Sequence, residues 1–135
     1  MEYLLDTNIC IYIIKKKPIE VFEKLRSISI RSVAVSSITI AELEYGVRKS
    51  SQPQKNQIAL NNFLSPLTVI DFDYQAAIEY GSIRIQLEMK GTPIGSLDML
   101  IAAQAKTLNL TLVTNNGREF ERVDGLKVEN WLNKN

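Results

Sequence analysis

Two periods of hydrophobic and polar positions run through this chain. Short apolar runs stand at 2–5 ("EYLL"), 33–37 ("VAVSS"), 67–72 ("LTVIDF") and from 110 ("LTLVTNN"), and each reads as a strand. Between them lie longer stretches with helical spacing. One runs from Thr7 to about Lys15 with Asp6 as its N-cap, and Pro18 ends it because proline cannot continue an interior turn. A second covers about Ile19 to Ser27, and a third starts from a cap at Ser36 or Ser37 and reaches about Lys49. "SSQPQ" at 50–54 breaks the pattern before a helix that Pro66 ends after Leu64. A long helix over about 74–90, the loop "KGTPIGS" and a Ser96-capped helix to about Leu108 follow. After "LTLVTNN" comes a polar loop, and "GLKVENW" holds a last short strand and a helical turn.

Strands thus alternate with helices, often two between strands. That order predicts an α/β fold with a central, mostly parallel sheet covered on both faces. In such sheets the functional crevice lies beyond the carboxyl ends of the strands. Residues just after strands, or on helices that start there, are the candidates.

Composition narrows the chemistry. The chain's 135 residues fit one domain, 1–135, and a chain of this size buries roughly two thirds of its unfolded surface. No apolar run approaches the roughly 20 residues of a membrane helix, and no basic n-region opens the chain, so a cytoplasmic protein without a membrane partner is expected. The lone Cys10 leaves no internal disulfide. A net charge of +1 is too small to hold nucleic acid by charge alone, so any such contact needs a local basic surface. Histidine is absent, which excludes Ser-His-Asp and Cys-His catalysis and His-ligated zinc. Any metal must be held by oxygen, as Mg²⁺, Mn²⁺ or Ca²⁺ are. Neither GxGxxG nor GxxxxGK[ST] occurs, so nucleotide-cofactor folds have little support.

Four acids fall at informative places, and each has an ordinary explanation. Asp6 follows the first strand, where an N-cap alone explains it. Glu42 shares a helical face with Ile38 and Tyr45, whereas Glu44 and Arg48 form an (i, i+4) solvent pair. Glu42 therefore faces the protein or a cleft, or sits at the margin of a core helix. Asp98 lies in the first turn of the apolar helix "SLDMLIAAQA", in line with Ile101, Ala102 and Ala105, where the helix dipole favours an acid. Glu119 follows the strand "LTLV" and taken alone reads first as a surface-loop acid. Together, Asp6, Glu42 and Asp98, with Glu119, would meet at one end of the sheet. Carboxylates about 4 Å apart repel by about 4 kcal/mol per pair at an effective dielectric near 20. Such a cluster needs a divalent cation or bound protons.

The stretches "LLDTNICIYIIKKKP", "VSSITIAELEYGVRKS", "GTPIGSLDMLIAAQA" and "LVTNNGREFERVDGLKVENW" together resemble the PIN-domain ribonucleases, specifically VapC toxins of toxin–antitoxin pairs. The resemblance spans nearly the whole chain. It implies a three-layer α/β/α fold and Mg²⁺- or Mn²⁺-dependent cleavage of structured RNA, with tRNA and the initiator tRNA anticodon loop favoured. It makes Asp6, Glu42, Asp98 and Glu119 catalytic, with Asp6 and Asp98 on the metal and Thr7, Thr114 and Asn116 in support. Where many PIN domains carry an Asp behind "VT", this chain has Asn115–Asn116. A homodimer and a small VapB-type antitoxin that wraps an apolar groove near the first helices are further implications. Lys15, Lys16, Arg84, Lys90 and Arg118 are candidate phosphate contacts, although the lysine run also reads as a solvated helix end. Tyr12 and Tyr45 can stack on bases, and packing in the core or a dimer is the other reading of Tyr45. The competing function is an RNA-binding translational regulator that cleaves nothing.

Overall fold

The computed structural model describes residues 1–132. Five strands, β1 (Tyr3–Leu5), β2 (Val33–Ser36), β3 (Thr68–Ile70), β4 (Thr111–Val113) and β5 (Lys127–Glu129), form one sheet in the order β3-β2-β1-β4-β5. Every neighbouring pair is parallel. Seven helices connect them: α1 (Thr7–Lys15), α2 (Ile19–Arg26), α3 (Ser37–Lys49), α4 (Pro53–Leu64), α5 (Tyr74–Lys90), α6 (Ser96–Thr107) and the short α7 (Gly117–Phe120).

The two-residue period of a strand sends successive side chains to opposite faces, and this divides the core in two. Leu4, Ala34 and Leu112 pack with Ile83, Leu87, Ile101 and Ala102 of α5 and α6. Leu5, Val35 and Val113 pack with Ile9, Val21, Leu43 and Leu60 of α1–α4. Three layers result, with helices on both faces of the sheet.

The strand order reverses direction between β1 and β4. The chain builds outward from β1 through β2 to β3, then crosses by α5 and α6 to β4 on the other side. Such a reversal opens a crevice at the carboxyl ends of the two central strands. Asp6 and Thr114 are the residues next after β1 and β4, and the Asp6 N–H bonds the Val113 carbonyl at 3.0 Å.

Several expectations shift on contact with the structure. The third strand is shorter than 67–72, at Thr68–Ile70. The helix expected to be capped by Ser96 has Gly95 at its N-cap and no side-chain cap, with Ser96 already helical. The polar loop after β4 contains α7, a single turn. The last strand forms, but no helical turn follows it through residue 132, and 133–135 lie outside the described residues. On α3 the fully buried face is Thr39, Leu43 and Val47, one residue round from the expected Ile38–Glu42–Tyr45 line. Tyr45 is therefore not a core residue: it is 65% exposed, with the Lys49 ammonium 5.0 Å above its ring.

Candidate active site

Asp6 performs both roles its position allows. Its backbone is extended, and its carboxylate accepts the Ile9 N–H at 2.9 Å, which caps α1. Leu4 and Leu5 hold the preceding strand fully buried, so Asp6 follows into the interior with 6% of its surface exposed. That burial raises its pKa, as does Glu42, while hydrogen bonds from Thr114, Ile9 and Asn8 partly offset the rise. The Thr114 hydroxyl also accepts the Asn116 N–H at 2.9 Å, so one side chain touches both Asp6 and the turn behind β4.

Glu42 stands half-buried on the flank of α3. The Thr7 hydroxyl donates to its Oε1 at 2.6 Å, and the buried Thr39 hydroxyl lies 3.4 Å from that of Thr7. Thr7 is the first residue of α1, so this bond joins the start of α1 to the second turn of α3.

Asp98 and Glu119 make the other pair. α6 starts on Gly95 in extended conformation, and Gly95 N–H donates to Glu119 Oε1 at 3.1 Å. Asn116 Nδ2 donates to Glu119 Oε2 at 2.7 Å. The Asp98 carboxyl is hydrogen-bonded to Glu119, and its pKa is raised to about 7 by burial first, then by Glu119, Asp6 and Glu42. The charged groups that act on Asp98 are thus all acids. Glu119 moves the other way. Burial works against its charge, but the donors Gly95, Asn116 and Asp98, with Arg122 nearby, hold it below its usual range. Below about pH 7 Asp98 keeps a proton, which it can donate to Glu119. A side chain at position 95 would meet this pair, since a Cβ there falls 3.2 Å from Asp98 Oδ2 and 4.0 Å from Glu119 Oε1.

All four expected acids share one electrostatic neighbourhood, and Thr7, Thr114 and Asn116 are bonded to three of them. Among the described residues, however, no three acidic or cysteine side chains are drawn tightly enough together to hold an ion as they stand. The acids are arranged in pairs rather than as a closed cage.

The expected basic residues are less uniform. Lys15 is exposed and lines a groove of about 270 Å³ whose walls include Ile11, Ile14, Leu43 and Gly46, with Glu42 on its lining. Lys16 turns the end of α1 in a left-handed conformation (φ 57°), its ammonium 5.0 Å from the Phe22 ring centre. Arg84 is occupied by Glu88 at 3.1 Å and Tyr80 at 3.0 Å, and Lys90 by Asp124 at 2.8 Å. Arg118 is exposed on α7, next to Glu119.

Sequence reasoning missed Gly95 and Thr39. The Thr39–Glu42 spacing was a usable signal, since i and i+3 share a helix face. Nothing in the sequence tied Gly95 to a residue 24 positions away.

A parallel sheet with acids gathered at its switch point is a frame on which a nuclease can be built, and similarity to known proteins gives the family. The PIN domain model matches residues 3–126, and the chain belongs to the PIN-domain family. Within it, the chain is 45% identical over 131 residues to the tRNA(fMet)-specific endonuclease VapC of Salmonella typhimurium, covering 97% of this chain and 98% of that one. It is 48% identical over 132 residues to ribonuclease VapC2 of Rickettsia felis, with the same coverage. The VapBC2 crystal structure from Rickettsia felis, bound to a DNA fragment from its promoter, superposes with a TM-score of 0.91 at 46% identity, covering 97% of this chain and 99% of that one. Among the described residues, no helix is long and apolar enough to cross a membrane.

Proposed function

We propose that this chain is the toxin of a cytoplasmic toxin–antitoxin pair, a metal-dependent endoribonuclease that hydrolyses a phosphodiester bond in structured RNA. The observation that carries this reading is the gathering of Asp6, Glu42, Asp98 and Glu119 at the switch point of the sheet, where burial first and then the other three acids raise the Asp98 pKa to about 7. Nearly full-length identity to VapC ribonucleases gives the reaction class. The tRNA(fMet) specificity of the Salmonella relative makes initiator tRNA, cut in its anticodon loop, the favoured substrate.

The residues suit a hard divalent cation. The donors are all carboxylate oxygens, histidine is absent, and the one thiol, Cys10, is buried among apolar neighbours. Asp6 and Asp98 would hold Mg²⁺ or Mn²⁺, with Glu42 and Glu119 completing or orienting the site. A bound cation supplies Lewis-acid polarisation of the phosphodiester and makes water a nucleophile at neutral pH. The chain's own part is positional. Thr114 and Ile9 fix Asp6, Thr7 fixes Glu42, and Gly95 with Asn116 fixes Glu119. Asp98 would serve as a ligand in its unprotonated form, and Arg118, Lys15 and Lys16 can meet RNA phosphates.

Crystal structures of relatives as VapBC complexes support a VapB-type antitoxin as partner. The groove at Ile11, Ile14, Leu43 and Gly46 suits its apolar side chains, and Glu42 on the lining suits a basic one. A homodimer is supported by the exposed apolar stripe Tyr74, Ile78, Ile85 and Met89 along α5.

The test is controlled expression in bacteria beside an Asp6→Asn/Asp98→Asn variant, with sequencing of small-RNA 5′ ends. Growth arrest with one new tRNA end, absent in the variant, is expected. A folded wild type that binds RNA without divalent cation and makes no new ends would establish the non-cleaving regulator instead.

A further inference from the structure

Three consecutive side chains behind β4 each reach a different element. Thr114 bonds Asp6 at the end of β1, and Asn116 bonds Glu119 on α7. Asn115, between them, donates from Nδ2 to the Tyr12 hydroxyl at 2.8 Å, bridging 103 positions to α1. Asn115 Oδ1 is buried with no hydrogen-bond partner among the described residues. Tyr12 is half-buried on α1.

We propose that the Asn115–Tyr12 hydrogen bond is a tether that sets the turn 114–116 against α1, so that Thr114 meets Asp6 while Asn116 meets Glu119. Tyr12 and Asn115 are positioning residues: they act on the two acids through the residues on either side of the tether. The proposal rests on the nuclease reading only for its effect on rate. Without the tether the turn has one anchor on each acid and none on α1, and the spacing between Asp6 and Glu119 loosens. Misplacing catalytic groups by about 1 Å can cost about 100-fold in rate.

The test compares the whole chain with Tyr12→Phe, Asn115→Ala and the double variant. Tyr12→Phe removes a single oxygen atom, so it keeps the test open should Asn115→Ala fold poorly. The first readout is NMR and needs no activity. Exchange of the Asn116 backbone N–H, bonded to Thr114 Oγ1, is expected to quicken, and the Asn116 side-chain amide signal to move. The second readout is steady-state cleavage. A fall in kcat of between about 10- and 100-fold, with KM within about twofold and the double variant no worse than either single one, is expected. Unmoved Asn116 signals in Tyr12→Phe would overturn the tether, and so would additive effects on kcat. A wild type that cuts no RNA would remove the nuclease reading alone and leave the NMR result to decide the tether.

Discussion

The two acid pairs are built on different principles. Asp6 and Glu42 are each pinned by neutral donors at helix starts, the Ile9 N–H at 2.9 Å and the Thr7 hydroxyl at 2.6 Å. Their places follow from where the helices begin. Glu119 has neutral donors too, the Gly95 N–H and the Asn116 amide, but Asp98 is tied to Glu119 by a carboxyl–carboxylate contact that requires a proton. One pair is fixed by neutral donors alone, and in the other the place of Asp98 depends on its state of charge. A small domain can therefore supply rigid placement and adjustable charge from the same residue types, at the carboxyl end of one sheet.

The comparison breaks most sharply under mutation. Asp6→Ala and Asp98→Asn are both expected to lower cleavage more than about 100-fold, since each removes a proposed metal ligand. Their stabilities should diverge. Asp6→Ala deletes an N-cap and costs about 1 kcal/mol. Asp98→Asn removes an acid that its neighbours repel, so it leaves the unfolding temperature unchanged or raised. Paired cleavage assays and thermal melts check this, and equal destabilisation by both would end the distinction.

A smaller effect separates the pairs by pH. Asp98 titrates near 7 in the fold against an ordinary carboxyl value of about 4. Between those values the folded chain binds a proton that the unfolded chain has released, so stability without divalent cation falls as pH rises through this window. Asp6, also raised, adds with the same sign. Glu119, lowered, contributes the opposite sign, and its part is lost only as pH falls below its ordinary value. Denaturant titrations from pH 4 to 8 should show the decline, and Asp98→Asn should flatten it. An identical slope in the variant would place the titration elsewhere.

The smallest effects lie among the cations around the two pairs. Arg118→Ala is expected to weaken RNA binding and to reduce the salt slope by about 1. Arg84→Ala and Lys90→Ala should change binding less than about twofold, because both cations already have acidic partners. Filter binding across a salt series distinguishes them.

Much of this was legible in the sequence, because the signals were local. Asp6 after "EYLL", Ser36 before α3 and Pro66 after α4 each mark a boundary by their own chemistry. The α/β order followed from the alternation of strand and helix. The meeting of the four acids was expected from their places after strands and at helix starts, but the particular bonds between distant segments were not legible. Nothing tied Glu119 to the Gly95 N–H, and Asn115 reads as a turn residue until Tyr12 is found at its amide. The rotation of α3 was missed for a related reason. The apolar residues Ile38 and Tyr45 suggested one buried face, but the core shared with α1, α2 and α4 takes Leu43 and Val47, with Thr39 buried beside them, leaving Tyr45 in solvent.

Gly95 carries a consequence for how this protein can change over generations. Its φ of −59° suits any residue, so the backbone itself tolerates substitution there. The obstacle is the acid pair, which a methyl group would already crowd at 3.2 Å. Drift at position 95 is thus restrained by chemistry rather than by folding. A lineage that lost the acids would be free to fill the space, and one that kept them could fill it only by moving the Asp98 carboxyl a few tenths of an ångström.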